Sequence, residues 1–391
     1  MKVKAGELLN ALQLLHNASS VFGSKYFANY FSLECDGSRL RMTTSSQEAV
    51  AEAVIENIDE AEQLSAVTTT KIFRLLQLIP SNAEVKIAAN ESEVKISAGR
   101  STWHVPRMNV DELPMPILEE EEILASIPLQ DSWKAFQSFL HAVSPYTEGV
   151  SYIQQPSVYF QVNAEEGICY GVGFARTEAL IEKIPVESDA DAETLLPYNF
   201  LKPLLRVTPV ELQIYASGAR FIGSNWWLLI PALAVETAEH RFFRKIYEKT
   251  KDEYIKVRFS VDKATLRLAL QRLKTVVDIS GSAKLVGGTE LRFQPQKENG
   301  EILVSAYGFG GTLLAEEVLP VRDLTWEMNG EAMVRISSKS LTNAANAFER
   351  GSELEFAFAL NPNSNMLEIG RVTSPSHPER QAYFTLLKGG E

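Results

Sequence analysis

The sequence predicts an α+β fold of three tandem domains, each a helix followed by an antiparallel meander, twice over. The first reason is a repeat. Thr70 to Met108, Asn199 to Leu233 and Lys339 to Lys388 each read as a short helix, a turn, a strand opening Glu-apolar-polar-apolar, and two further strands. The copies begin about 130 to 140 residues apart, and recurrence at such a spacing sets architecture before any single residue does. The second reason is that a separate helix and hairpin precede every copy. The third is length: 391 residues exceed a single core and suit two or three.

The first helix of each domain is predicted at Lys4 to Ala18, Leu129 to Ser144 and Val261 to Val277. Leu8, Leu9, Leu12 and Leu15 recur at helical spacing in the first, and Trp133, Phe136, Phe139 and Leu140 in the second. Leu266, Leu268, Leu270 and Leu273 form a looser stripe in the third. Asp131 and Asp262 stand where a carboxylate at the N-cap or first turn favours a helix start. Alternating segments follow each helix: YFSLECDG then RLRMTT, SVYFQVNA then ICYGVGF, ELRFQP then EILVSAYG. The signals DG, EEG and ENG between them predict hairpins. Second helices are predicted at Thr70 to Ile79, Tyr198 to Val207 and Ser338 to Arg350. Pro203 falls inside the middle one, where it would remove a donor or kink the helix, so a late start near Phe200 is expected. Charged connectors, Asp111 to Glu122 and Glu248 to Lys256, divide the chain into predicted domains 1–120, 121–255 and 256–391.

Net charge is −12, which alone argues against a nucleic-acid partner. Sorting the charge by element reverses that argument. The six predicted helices carry twelve basic residues and four acidic ones, so they stand at +8 while the remainder stands at −20. If the helices share a face, it is a positive surface in a negative protein, suited to a phosphate backbone bound without sequence readout. The residues expected to meet DNA are Lys71, Arg74, Lys134, Lys202, Arg206, Lys263, Arg267, Arg272, Lys274 and Lys339.

Helix-plus-meander units with basic helices, in three domains, resemble the bacterial DNA polymerase sliding clamp, the beta subunit of the replicative polymerase. KIFRLLQLIPSNAEVKI, SAGRSTWHV and DELPMP carry the resemblance early in the chain, and ELRFQP, AEEVLPV, SKSLTNAANAF and AYFTLL carry it late. As an ordered set they are moderately specific. The resemblance implies a chain forming half of a head-to-tail homodimeric ring around double-stranded DNA, tethering a polymerase for processivity. Rotation that closes makes such contacts a ring. It also implies a dimer interface in which Trp103 and Val105 meet Val276 and Val277 of a second copy.

Family clamps dock short linear motifs of polymerase and clamp loader in an apolar pocket. The matching positions here are Phe174, Arg176, Leu180, Phe243, Lys245, Ile246, Ser338, Phe384, Leu386 and Leu387. They depart from the family pattern: Phe174 to Ala179 replaces Thr-Asp-Gly-His-Arg-Leu, and Phe384 to Lys388 replaces a Met-Pro-Met tail. A changed peptide preference is expected, as in a diverged clamp encoded by a phage or other mobile element.

Other chemistries find little in the sequence. Cys35 and Cys169 are the two cysteines, so no disulfide framework is expected and a reducing, cytoplasmic setting is. The N-terminus lacks the apolar run of a signal peptide, and Trp226 to Val235, interrupted by Pro231, is too short to span a bilayer. Tyr307 to Gly311 lacks the Lys-Ser/Thr of a P-loop and reads as a strand bend or hairpin, while the glycines of Gly171 to Phe174 read as a strand end. The five histidines have no ligand spacing, so neither a metal nor another cofactor is expected. A non-enzymatic ring fits best. The competing classes are a β-rich accessory enzyme and a structural repeat protein built from the same tandem units.

Overall fold

The computed structural model describes residues 1–20, 30–46, 49–56, 58, 63–108, 122–147, 156–175, 177–233, 250, 252–280, 289–296, 300–308, 311–328, 333–361 and 366–387. The chain forms two compact units. One comprises Met1–His141, Pro156–Cys169 and Ile184–Ala234, and the other comprises Ala142–Gln155, Tyr170–Lys183 and Val235–Glu391.

In the first unit an eight-stranded sheet runs β5 (Leu64–Thr69), β2 (Tyr30–Cys35), β3 (Leu40–Ser45), β4 (Val50–Ile55), β16 (Trp226–Pro231), β15 (Gly218–Ile222), β14 (Glu211–Ile214), β9 (Ala125–Pro128). Its β4–β16 pairing, with Trp226 opposite Ala53 and Leu229 opposite Val50, makes one sheet from strands about 175 residues apart. A four-stranded sheet runs β1 (Lys2–Lys4), β6 (Glu84–Ala89), β7 (Glu93–Ala98), β8 (Ser101–Pro106), so β8 ends it. Beside these, β10 (Ser157–Asn163) pairs antiparallel with β13 (Ala192–Pro197).

Helix α1 (Ala5–Ser19) packs on β3 and β4 through buried Leu8, Leu12 and Leu15. Helix α2 is shorter than predicted, Ile72–Leu76. In α3 (Trp133–Val143), Phe136 and Phe139 pack on Phe160 of β10, with ring centroids 5.9 and 6.0 Å apart. The expected late start near Phe200 is not what forms. Helix α4 (Tyr198–Leu201) begins on time and passes at once into a 3₁₀ turn, Lys202–Arg206. Pro203 lies at the start of that turn, where its missing amide donor has no bond to lose.

In the second unit strands follow the order β11 (Ile168–Ala175), β12 (Glu178–Pro185), β25 (His377–Thr385), β24 (Met366–Ser374), β23 (Glu353–Asn361), β17 (Ile255–Asp262), β21 (Arg322–Trp326). A separate sheet runs β20 (Leu313–Pro320), β19 (Glu301–Tyr307), β18 (Glu290–Gln296), β22 (Val334–Ser337), with β20 at its edge. Phe259, Phe293, Phe356 and Phe358 are buried together, Phe259 stacking on Phe356 at 5.1 Å. Gly171 to Phe174 lies inside β11, not at its end; a Cβ on Gly173 would meet Val143 at 2.0 Å.

Helix α5 (Lys263–Ile279) has the predicted cap: the Thr265 amide donates to Asp262 Oδ1 at 2.8 Å. Its buried stripe is Leu266, Ala269, Leu273 and Val277, while Leu268 is 54 % exposed, so the looser leucine stripe is corrected to a helical i, i+3, i+7, i+11 face. Helix α6 (Ser338–Asn346) buries Leu341, Ala344 and Ala345. At the DG, EEG and ENG turns, Gly37, Gly167 and Gly300 all adopt positive φ, 104°, 65° and 65°, a conformation that favours glycine. Of the strand bend or hairpin expected at Tyr307 to Gly311, the described residues show the hairpin pairing: β19 and β20 are antiparallel and the Gly308 amide donates to the Thr312 carbonyl at 2.8 Å.

Candidate nucleic-acid interface and peptide site

In the first unit the basic residues come together from three elements. Helix α1 packs against both α2 and the 3₁₀ turn after α4. His16, near the end of α1, stacks on Phe73 of α2 with centroids 4.8 Å apart. Burial lowers the His16 pKa, and Arg74 and Arg206 lower it further, so both guanidinium groups act on one imidazole. Lys202 donates to Asn199 Oδ1 at 2.7 Å, and its ammonium lies over the Tyr198 ring at 5.4 Å. Lys71, Arg74, Lys134 and Arg206 are exposed and form no ion pair among the described residues. The Gln137 side chain donates to the Leu205 carbonyl at 3.0 Å and so fixes α3 against the 3₁₀ turn.

In the second unit Arg267, Arg272, Lys274 and Lys339 are exposed. Lys263 is not, and the expectation that it lies on an open basic face is corrected. It is 8 % exposed, and its ammonium donates to the Phe348 carbonyl beyond α6. Its first-turn position on α5 turns it towards the end of α6, where it satisfies a carbonyl. Arg272 is exposed but neutralised: it grips Glu317 of β20 bidentately at 2.7 and 2.9 Å. That bond holds the Glu317 carboxyl below its ordinary range, against a smaller opposing effect of burial.

The predicted peptide-pocket residues divide into three sets. Arg176, Phe243, Lys245 and Ile246 lie outside the described residues. Phe174, Leu180, Phe384 and Leu386 are buried. In the β12–β25 ladder Glu178 faces Phe384 and Leu180 faces Ala382, and Phe384 packs edge-on against Phe358 at 6.3 Å. Ser338 is half-buried and Leu387 is 39 % exposed. The Leu386 and Leu387 amides donate to the Glu368 and Arg335 carbonyls at 2.8 and 2.9 Å, pinning the end of the described chain to the sheets.

For the predicted dimer interface, Trp103 and Val105 are half-buried on β8, the end strand of its sheet among the described residues. Val276 is 39 % exposed, but Val277 is 3 % exposed and belongs to the core. Helical geometry is the reason, since Val277 continues the buried Leu266–Leu273 stripe and its neighbour faces out. Val277 does line a cavity of about 300 Å³ with Leu270, Leu273 and Thr342.

Sequence reasoning missed two polar links. The Glu178 carboxylate accepts from Ser340 Oγ and Asn343 Nδ2, both at 2.8 Å, fastening β12 to α6. Glu182 on β12 and Arg380 on β25 form a buried ion pair at 2.7 Å. Each spans more than 160 residues of sequence, so no local pattern announces it.

No family model and no curated protein sequence matches the chain. Its fold does match solved structures over the full length. The DNA polymerase III beta subunit of Thermotoga maritima superposes with a TM-score of 0.79 at 11 % identity, covering 100 % of this chain and 99 % of that one. The DNA polymerase III subunit beta of Pseudomonas aeruginosa gives 0.78 at 15 % identity, with coverage of 100 % and 99 %. The Helicobacter pylori beta clamp bound to a DNA ligase peptide gives 0.73 at 12 % identity, with coverage of 99 % for both chains. The chain has the sliding-clamp fold, with mixed helices and antiparallel sheets.

Proposed function

We propose that this protein is a DNA sliding clamp, a non-enzymatic ring that encircles duplex DNA and tethers a replicative polymerase. The carrying observation is that, on this full-length clamp fold, the helices and their ends expose Lys71, Arg74, Lys134, Lys202, Arg206, Arg267, Lys274 and Lys339 while the chain as a whole has a net charge of −12. Such a surface holds DNA through phosphates alone. Topological linkage, not tight binding, would supply processivity, and the acidic remainder would discourage DNA from binding elsewhere. Neither the accessory-enzyme reading nor the structural-repeat reading accounts for basic helices on this fold.

In this proposal the chain supplies three domains, 1–120, 121–255 and 256–391, and two copies close a ring of six. Among the described residues β8 and β20 each end a sheet, which supports a head-to-tail joint, because exposed edges invite strand pairing. Trp103, Val105 and Val276 would flank it. Polymerase and clamp loader would dock by short linear motifs near Ser338 and Leu387, a site changed from the common bacterial one. The peptide held by the Helicobacter pylori clamp supports this mode of partnership. A cytoplasmic location follows from the function, and no helix among the described residues is long and apolar enough to cross a membrane. The test is topological: protein loaded on nicked circular DNA by a clamp loader should be retained, then lost once the circle is cut. Retention unchanged by linearisation would sink the ring.

A further inference from the structure

The eight-stranded sheet of the first unit carries an unusual patch on β4, β16, β15 and β14. Antiparallel partners share a face, so one row of side chains runs Glu52, Trp227, Ile222, Glu211 and the next runs Val50, Leu229, Arg220, Gln213. The opposite face of the same strands presents Ala51, Ala53, Phe221 and Leu228, all buried. Trp227, Ile222, Leu229 and Arg220 are half-buried, where the outward side of an antiparallel sheet is ordinarily polar. Both carboxylates of the patch are committed away from Arg220. Glu52 accepts from Trp227 Nε1 at 3.1 Å and lies 3.7 Å from Arg41. Glu211 accepts from Ser126 Oγ and Gln213 Nε2, each at 2.8 Å. Arg220 is left with an aromatic partner alone: its guanidinium carbon stands 4.3 Å from the centre of the Trp227 ring. It forms no ion pair among the described residues, and its Nε is buried without a hydrogen-bond partner.

We propose that this patch docks a segment of a partner protein that carries one carboxylate beside an aliphatic side chain. Arg220 takes the carboxylate, and Trp227, Leu229 and Ile222 take the apolar chain. A guanidinium stacked on an indole is held flat with its donors in a fixed fork, the geometry that matches a carboxylate. Arginine and tryptophan together are also the residues that most often anchor an interface. Charge decides what kind of anion fits. A nucleic-acid backbone would run its repeated charge onto Glu52 and Glu211, whereas a single carboxylate meets Arg220 and stops there. The site shares no residue with the basic helices or the predicted peptide pocket, and it does not depend on the clamp reading.

The test reads the indole N–H signals of the full-length protein, which has five tryptophans, by nuclear magnetic resonance; Trp227→Phe identifies the Trp227 signal by its loss. The probe is acetyl-Leu-Asp-Leu-amide, with acetyl-Leu-Asn-Leu-amide as its neutral twin. The Asp peptide should shift the Trp227 signal saturably. The Asn peptide should bind at least about tenfold more weakly, the loss expected when a hydrogen bond to a charged group is removed. Arg220→Gln should reduce the Asp peptide to the Asn level. The peptide pair is read on wild type, so it decides the matter whether or not that variant folds. No shift at millimolar Asp peptide, or equal affinity for the two peptides, would overturn the proposal. So would a stronger response to tripolyphosphate, which would make the patch a general anion seat. A Trp227 signal that moves with protein concentration alone would make a second copy the occupant and overturn it too.

Discussion

Replacing Glu182 with Ala should be among the most damaging single changes in the second unit. Glu182 on β12 stands directly across from Arg380 on β25. Arg380 Nε and Nη2 both lie 2.7 Å from Glu182 Oε2, and Nη1 donates to the Ala347 carbonyl at 2.6 Å. The two residues are 7 % and 3 % exposed. Removing the carboxylate breaks the buried pair and strips the guanidinium of its Glu182 partner, which costs about 3–5 kcal/mol. A domain is stable by only about 5–15 kcal/mol in total. At roughly 2–4 °C per kcal/mol, the transition of this unit should fall by about 6–20 °C in scanning calorimetry. The joint change Glu182→Leu with Arg380→Met removes both charges and should restore most of the loss. Amide exchange in β25 should quicken in the single variant and recover in the double. A single-variant loss under about 1 kcal/mol, or a cycle additive within about 0.5 kcal/mol, would refute the reasoning.

Three further outcomes follow from other contacts. Glu290 accepts from Arg335 at 2.8 Å on each oxygen and from Arg292 at 2.6 Å. Burial pushes its pKa up, but these bonds outweigh burial and hold it below the ordinary range. Its stabilising contribution is therefore present above the unfolded carboxylate pKa and lost as pH falls through the depressed value. Glu290→Gln should flatten the acid limb of a melting-temperature profile, and an unaltered limb would count against the pairing. Leu387→Ala should weaken binding of a polymerase-derived peptide in calorimetric titration without shifting the melting temperature, whereas buried Leu386→Ala should cost about 2–5 kcal/mol of stability. Equal peptide affinity in both would move the docking site elsewhere. Trp103→Ala should open the dimer: an interface tryptophan contributes about 2 kcal/mol or more and would act at two joints, so dissociation measured by sedimentation should strengthen roughly a thousandfold. A dimer as tight as wild type would exclude Trp103 from the joint.

Local signals were legible in the sequence wherever physics acts over a few residues. Asp262 caps α5 because its carboxylate reaches Thr265, three residues on, and the three turn glycines were marked by their neighbours. The buried face of α5 does not follow leucine identity, since Leu268 is exposed while the small Ala269 occupies the packed position. Lys263 read as a free cation because its acceptor, the Phe348 carbonyl, is 85 residues away. The same holds for Val277: composition cannot say which of two adjacent valines continues a stripe until the helix phase is set. The peptide site was least legible, since Phe384 and Leu386 are apolar whether they line a pocket or fill one.

The pairing of β12 with β25 constrains how the chain can be made. Glu178–Pro185 finds its partner in His377–Thr385, about 190 residues later in the chain. At about 5–20 residues per second, β12 waits roughly 10–40 seconds for that partner. The first unit needs nothing beyond its β16 strand, Trp226–Pro231, to close its large sheet, so it can form while synthesis continues. The nascent protein thus carries a half-built second unit with an open strand edge, a template for mispairing during that interval. Chaperone demand should be greatest after the first unit has folded and before β25 has been made.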